Sequence, residues 1–136
     1  MGATSLHFTD AELACKCCGV NECKPELLDA LEELRTLIGR PITIDSAYRC
    51  PAHNKAVGGE LHSQHMLGIA ADIRVPGISM PALEHFIRQV PAFNGIGRDD
   101  SRGFVHADTR KNPAQWCYAP DGKVVPYYAP PAVQIT

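Results

Sequence analysis

The sequence predicts an α+β domain in which a small, mainly antiparallel sheet is packed by helices. Three observations carry this: leucines recur at helical spacing over residues 25–38, apolar and polar residues alternate through PITIDS and GIAADIRV, and a further strand-like run lies around 103–109. With 136 residues, 45% of them hydrophobic and 21% charged, the chain suits one domain, 1–136, with a Cys-rich loop at 15–23 and a Pro-rich tail at 119–136.

The elements follow in order. In HFTDAELA, residues 7–14, Thr9 with Glu12 three positions later is a capping-box signature that opens a short helix. Pro25 suits a first helical turn, and Leu27, Leu28, Leu31, Leu34, Leu37 and Ile38 form an apolar stripe that ends at Gly39. The first strand ends near Ser46, with Arg49 just beyond it. Residues 50–64, rich in His, Asn, Gly and Ser, read as a long irregular and functional segment. In the second strand Ile69, Ala71 and Ile73 share one side, Ala70 and Asp72 the other. Ser79 caps a helix through Met80, Leu83, Phe86, Ile87 and Val90, which Pro91 stops. A third strand spans about 103–109, and the tail from 119 is expected to be coil with a short strand at most.

The formal net charge of -2, with no long basic run, argues against a nucleic-acid partner. No apolar run approaches membrane-spanning length, so membrane insertion is not expected. The opening residues lack a secretory-signal pattern. That predicts a protein made in the cytoplasm, and a monomer is expected.

The chemistry concentrates in SQHMLGIAAD and FVHADTR. A catalytic zinc takes three protein ligands from His nitrogen and carboxylate oxygen and keeps one position open. His65 and Asp72 would lie about 10 Å apart on a continuous helix, so a turn at Gly68 is needed to bring them together. On the third strand Phe104, His106 and Asp108 share a face, with Val105 and Ala107 on the core side. His53 and His62, in the long segment, are reserve ligands, while His7 and His85 read as surface residues. Each of these, taken singly, is equally consistent with a hydrogen-bonded structural role.

Ser63, His65, Gly68, Ala70 and Asp72 match the pattern SxHxxGxAxD, His106 with Asp108 supplies a later H-x-D, and SAYRCPAHNKAVGG lies upstream. In these residues the chain resembles, over about 7–110, the M15 family of zinc D-Ala-D-Ala carboxypeptidases and peptidoglycan endopeptidases, which includes phage endolysins and shares the hedgehog-type fold. The resemblance implies a zinc ion held by His65, Asp72 and His106. It further implies Arg49 and Ser63 as substrate-binding residues and a peptidoglycan stem peptide as substrate. Several members carry the general base three residues before the last His, where this chain has Gly103. Others carry it six before, which is Asp100. Asp100 and Asp108 are therefore the candidates, with Asp99 beside them. A cell-wall peptidase without a signal would fit a phage lysin released by another route.

Two other classes remain open at this level. One is a zinc-containing binding module that has lost catalysis, for which Gly103 speaks. The other is a structural zinc protein built on the cysteines. Six are present, five within the first fifty residues. Free thiols, disulfides and a zinc site are all open for them, and the CxCC run with Cys23 after it does not reproduce a paired CxxC pattern.

Overall fold

The computed structural model describes residues 2–130. Helix α1 (Asp10–Leu13) starts on the expected capping box, with Thr9 Oγ1 accepting from the Glu12 amide and the Glu12 carboxylate accepting from the Thr9 amide. Helix α2 (Pro25–Ile38) begins on Pro25 and closes on Gly39, whose φ of 71° is the left-handed conformation a helix C-terminus favours. Strand β1 (Thr43–Ser46) follows, and then comes a correction: the segment expected to be irregular contains helix α3 (Pro51–Ala56). Its apolar periodicity is absent because only Asn54 of its six residues is buried. Its start signal is Pro51 at the first helical position, with Cys50 as the cap.

Strand β2 (Ala70–Arg74) and helix α4 (Met80–Arg88), capped by Ser79, fall where the sequence places them. The expected third strand is the fourth, β4 (Phe104–Asp108), because β3 (Gly95–Asp99) precedes it. In β3 the glycines 95 and 97 take the place of side chains on one face, so the alternation that announces a strand is missing. Two more strands follow, β5 (Ala114–Tyr118) and β6 (Val124–Pro126). The short strand allowed for in the tail is β6, and the end of that tail, residues 131–136, lies outside the described residues.

The strands form one six-stranded sheet in the order β1-β2-β4-β3-β5-β6, antiparallel except for the β3–β5 pair. Its two faces have opposite characters. On one, Ala71, Ile73, Val105 and Ala107 pack with Leu27, Leu31 and Leu34 of α2 and Leu83 and Ile87 of α4, giving the hydrophobic core. On the other, the period of two along each strand directs Asp72, His106, Asp108, Trp116 and Tyr118 away from the helices. Among the described residues, no helix is long and apolar enough to cross a membrane.

Candidate metal centre

Register brings the central residues together. Asp72 of β2 lies directly opposite His106 of β4, and His106 in turn lies opposite Gly97 of β3, which faces Trp116 of β5. Residues opposed in an antiparallel pair project to the same side at about 5 Å, so Asp72 and His106 face one point. His65 arrives from outside the sheet. It sits in a single 3-10 turn, Gln64–Leu67, capped by the Ser63 hydroxyl and closed by Gly68 at φ 74°. The turn at Gly68 is thus realised, and a side chain there would collide with the Glu22 carbonyl.

The protons on the two imidazoles can be placed from their outer partners. His65 Nδ1 lies 2.6 Å from the Ala47 carbonyl oxygen, which only accepts, so Nδ1 carries hydrogen and Nε2 turns a lone pair inward. His106 Nε2 lies 2.7 Å from the Asp108 carboxylate, so Nε2 carries hydrogen and Nδ1 faces inward. Both inward nitrogens approach the same atom, Asp72 Oδ1, at 3.1 Å and 3.0 Å. A carboxylate oxygen and two imidazole lone pairs repel unless a cation lies among them. The three residues are buried, and one donor atom from each falls within 4.8 Å of the others. Nitrogen and oxygen ligands of a tetrahedral zinc at about 2.0–2.1 Å stand a little over 3 Å apart, so the donor set fits that ion.

Charge in the site is consistent with this placement. Burial works against ionisation of Asp72, yet His65 and His106 outweigh it and hold the carboxyl well below the usual carboxylate range. Burial depresses His65 despite the adjacent Asp72. For His106 burial is overcome by Asp108 and Asp72, so its value is raised.

Asp108, one of the two residues expected as a base, is fully buried, and its oxygens accept from His106 Nε2, from the Arg110 amide and from the Arg110 guanidinium. That arrangement makes it a holder of His106. Asp100, the other, is not brought to the triad. Arg98 projects to the helix face, where it pairs with Glu84 of α4, and Asp100 follows it there, bound to Arg98 Nε at 2.9 Å and to the Tyr128 hydroxyl at 3.1 Å. Asp99 is held by Arg102. Gly103, three residues before His106, has φ 77°, a turn conformation that disfavours a side chain.

Arg49 and Ser63 both line the cleft over the triad, a space of about 690 Å³. The Arg49 guanidinium is spread between Ser46 Oγ at 3.2 Å, Asn54 Oδ1 at 2.9 Å and Asp72 Oδ2 at 3.3 Å. His53 and His62 line the same cleft but stand outside the triad. The opposite wall is aromatic: Phe104, Trp116 and Tyr118. The sequence reading missed the last two, although Ala114, Trp116 and Tyr118 fall at strand period. Burial and the Asp72 charge push the Tyr118 hydroxyl up to about 12, so it stays protonated as a hydrogen-bond donor. Arg110 stacks over Trp116 at 4.7 Å from the ring centre while gripping Asp108, which links the aromatic wall to the His106 support.

No curated protein matches the chain. The sequence model of the peptidase M15 family matches residues 6–108, a span that contains all three members of the triad together with Arg49, Ser63 and Asp108. A match over that much of the chain, joined to a buried two-histidine, one-aspartate cluster at the floor of a cleft, establishes that this chain belongs to the peptidase M15 family.

Proposed function

We propose that the protein is a zinc-dependent peptidase that hydrolyses peptidoglycan stem peptides as a D,D-carboxypeptidase or an endopeptidase. The observation that carries the proposal is the convergence of two imidazole lone pairs on Asp72 Oδ1, which calls for a cation. His65, Asp72 and His106 would hold the zinc. When bound, zinc would polarise the scissile carbonyl and make a water acidic enough to ionise near neutral pH.

The chain's own residues supply the rest. Arg49 presents a permanent, fork-shaped charge beside the centre, suited to a carboxylate or carbonyl oxygen of the peptide. The Ser63 hydroxyl accepts from the His65 amide and keeps its own hydrogen for a substrate carbonyl. Tyr118, neutral at physiological pH, is a second donor in the cleft. A general base must take the proton from the attacking water and pass it to the leaving amine. Asp108 is engaged on both oxygens and Asp45 is held by Arg74, which leaves Glu60 and Asp121 as the cleft carboxylates without an arginine partner among the described residues. These two are the candidates for the base.

Incubation of the protein with purified muropeptides, with and without chelator, tests the reading. Release of D-alanine or of cleaved stem peptides that stops on chelation and returns with zinc supports it. Tight muropeptide binding with no product under either condition would instead establish the catalytically inactive module. In an active protein, Glu60→Gln or Asp121→Asn should lower kcat by roughly 10²–10⁴-fold at unchanged zinc content, the usual contribution of a positioned base.

A further inference from the structure

A second cluster of metal-binding character lies at the N-terminal loop. One sulfur from each of Cys15, Cys18 and Cys50 falls within 4.8 Å of the others, and Sγ of Cys15 and Cys50 are 3.6 Å apart. A disulfide requires about 2.05 Å. Two thiolates on a tetrahedral zinc, at about 2.3 Å each, stand roughly 3.8 Å apart. The spacing therefore fits a shared ion and not a covalent bridge.

The backbone is arranged for charged sulfur. Cys15 Sγ accepts from the Cys50 amide at 3.4 Å, and Cys50 Sγ accepts from the His53 amide at 3.4 Å. The sulfurs of Cys15 and Cys50 thus each receive an N–H, which stabilises thiolate more than thiol. The local chain is Cys15-Lys16-Cys17-Cys18-Gly19, a C-x-x-C turn closed by the Gly19 amide on the Cys15 carbonyl at 2.9 Å, with Gly19 at φ 73°. Cys23, by contrast, lies in the hydrophobic core, where burial pushes its thiol up to about 11. Pairing the CxCC run with Cys23 is what concealed the pattern in the sequence. The third partner is Cys50, thirty-five residues beyond Cys15.

We propose that Cys15, Cys18 and Cys50 form a second, structural zinc site, separate from the His65–Asp72–His106 centre. The three thiol protons leave to solvent as the ion binds, with no change of oxidation state. Position in the fold gives the site a purpose. It ties the exit of α1 to Cys50, the residue after Arg49 and the cap of α3. The ion would fix the cleft wall that carries Arg49 while touching no substrate.

The experiment uses the full chain purified under reducing conditions. A His65→Ala/His106→Ala variant, which removes the first centre, should retain about one equivalent of zinc. Its cobalt form should show intense near-ultraviolet sulfur-to-metal charge transfer, and zinc should shield the trio from a thiol reagent. Cys18→Ser, at an exposed position, should abolish the charge transfer in wild type while leaving the weaker visible bands of a histidine–carboxylate centre. This comparison stands if the double variant does not fold, and it separates failure of this site from failure of the first. Absence of any sulfur-to-metal band in reduced wild-type protein overturns the proposal. A mass lower by two hydrogens, restored by reductant and insensitive to zinc, also overturns it in favour of a Cys15–Cys50 disulfide.

Discussion

Asp108 accepts a 2.7 Å hydrogen bond from Nε2 of His106, and this contact decides which nitrogen of the ring faces Asp72. Arg110 in turn fixes Asp108 through its amide and guanidinium. Supports of this kind orient a ligand and raise its basicity. Asp108→Asn keeps an acceptor for Nε2–H but loses the charge. Zinc affinity is expected to fall about 10–100-fold while the fold is kept. A competition titration against a chromophoric chelator measures this, and unaltered affinity would show that Asp108 does not act through His106.

The pH dependence of zinc binding follows from competition between protons and the ion for the ring nitrogens. His106 is raised above the ordinary imidazole value, because Asp108 and Asp72 overcome its burial. A proton on Nδ1 excludes zinc there, so affinity should weaken by about tenfold per pH unit once pH drops below the raised value. Stability of the metal-free protein at acid pH has a separate sign. Asp72 and Asp108 are both held below the usual carboxylate range, against the burial that opposes ionisation, by the histidines at Asp72 and by Arg110 and His106 at Asp108. A depressed carboxyl contributes stability that is full above its unfolded value, about 4, and is lost as pH falls toward the folded value. Thermal melts of chelated protein should therefore decline below about pH 4. Asp108→Asn should flatten that decline.

Arg49 touches Asp72 Oδ2, Asn54 and Ser46 and lines the cleft. Lysine would preserve the charge but not the planar fork. Arg49→Lys is expected to raise KM and lower kcat/KM by roughly tenfold or more, the value of a charged hydrogen bond, with zinc content unchanged. Steady-state kinetics beside metal analysis reads both quantities. Loss of zinc without a change in KM would mean that Arg49 serves Asp72 and not the substrate.

Gly97 lies opposite both His106 and Trp116, and a Cβ there would run into the Trp116 indole. Gly97→Ala should displace that ring, lowering stability by about 1–3 kcal/mol, as overpacking does. Trp116 is the chain's one tryptophan, so its fluorescence reports the displacement directly. Unchanged emission and melting temperature would show that the aromatic wall yields freely.

Much of the frame was legible in one dimension because it rests on local signals. The α2 stripe, the Thr9 and Ser79 caps, the alternation in β1 and β2 and the turn at Gly68 each depend on residues within a few positions of one another. Helix α3 escaped because it buries a polar residue, Asn54, and β3 because glycines leave room for Trp116 and for the Asp108–Arg110 pair. Those reasons lie in neighbours distant along the chain.

Of the site, the sequence alone picked out His65, Asp72 and His106, which the fold brings within 4.8 Å of one another, and the face that His106 shares with Asp108. Tertiary structure decided what each carboxylate does. Asp100 and Asp108 flank His106 in sequence, yet one follows Arg98 to the helix side while the other closes on the His106 ring. It also decided that Cys50, and not Cys23, meets Cys15. Periodicity fixes the direction of a side chain within its own strand, but the partner it meets is set by sheet register and loop closure, and these depend on packing across the whole domain.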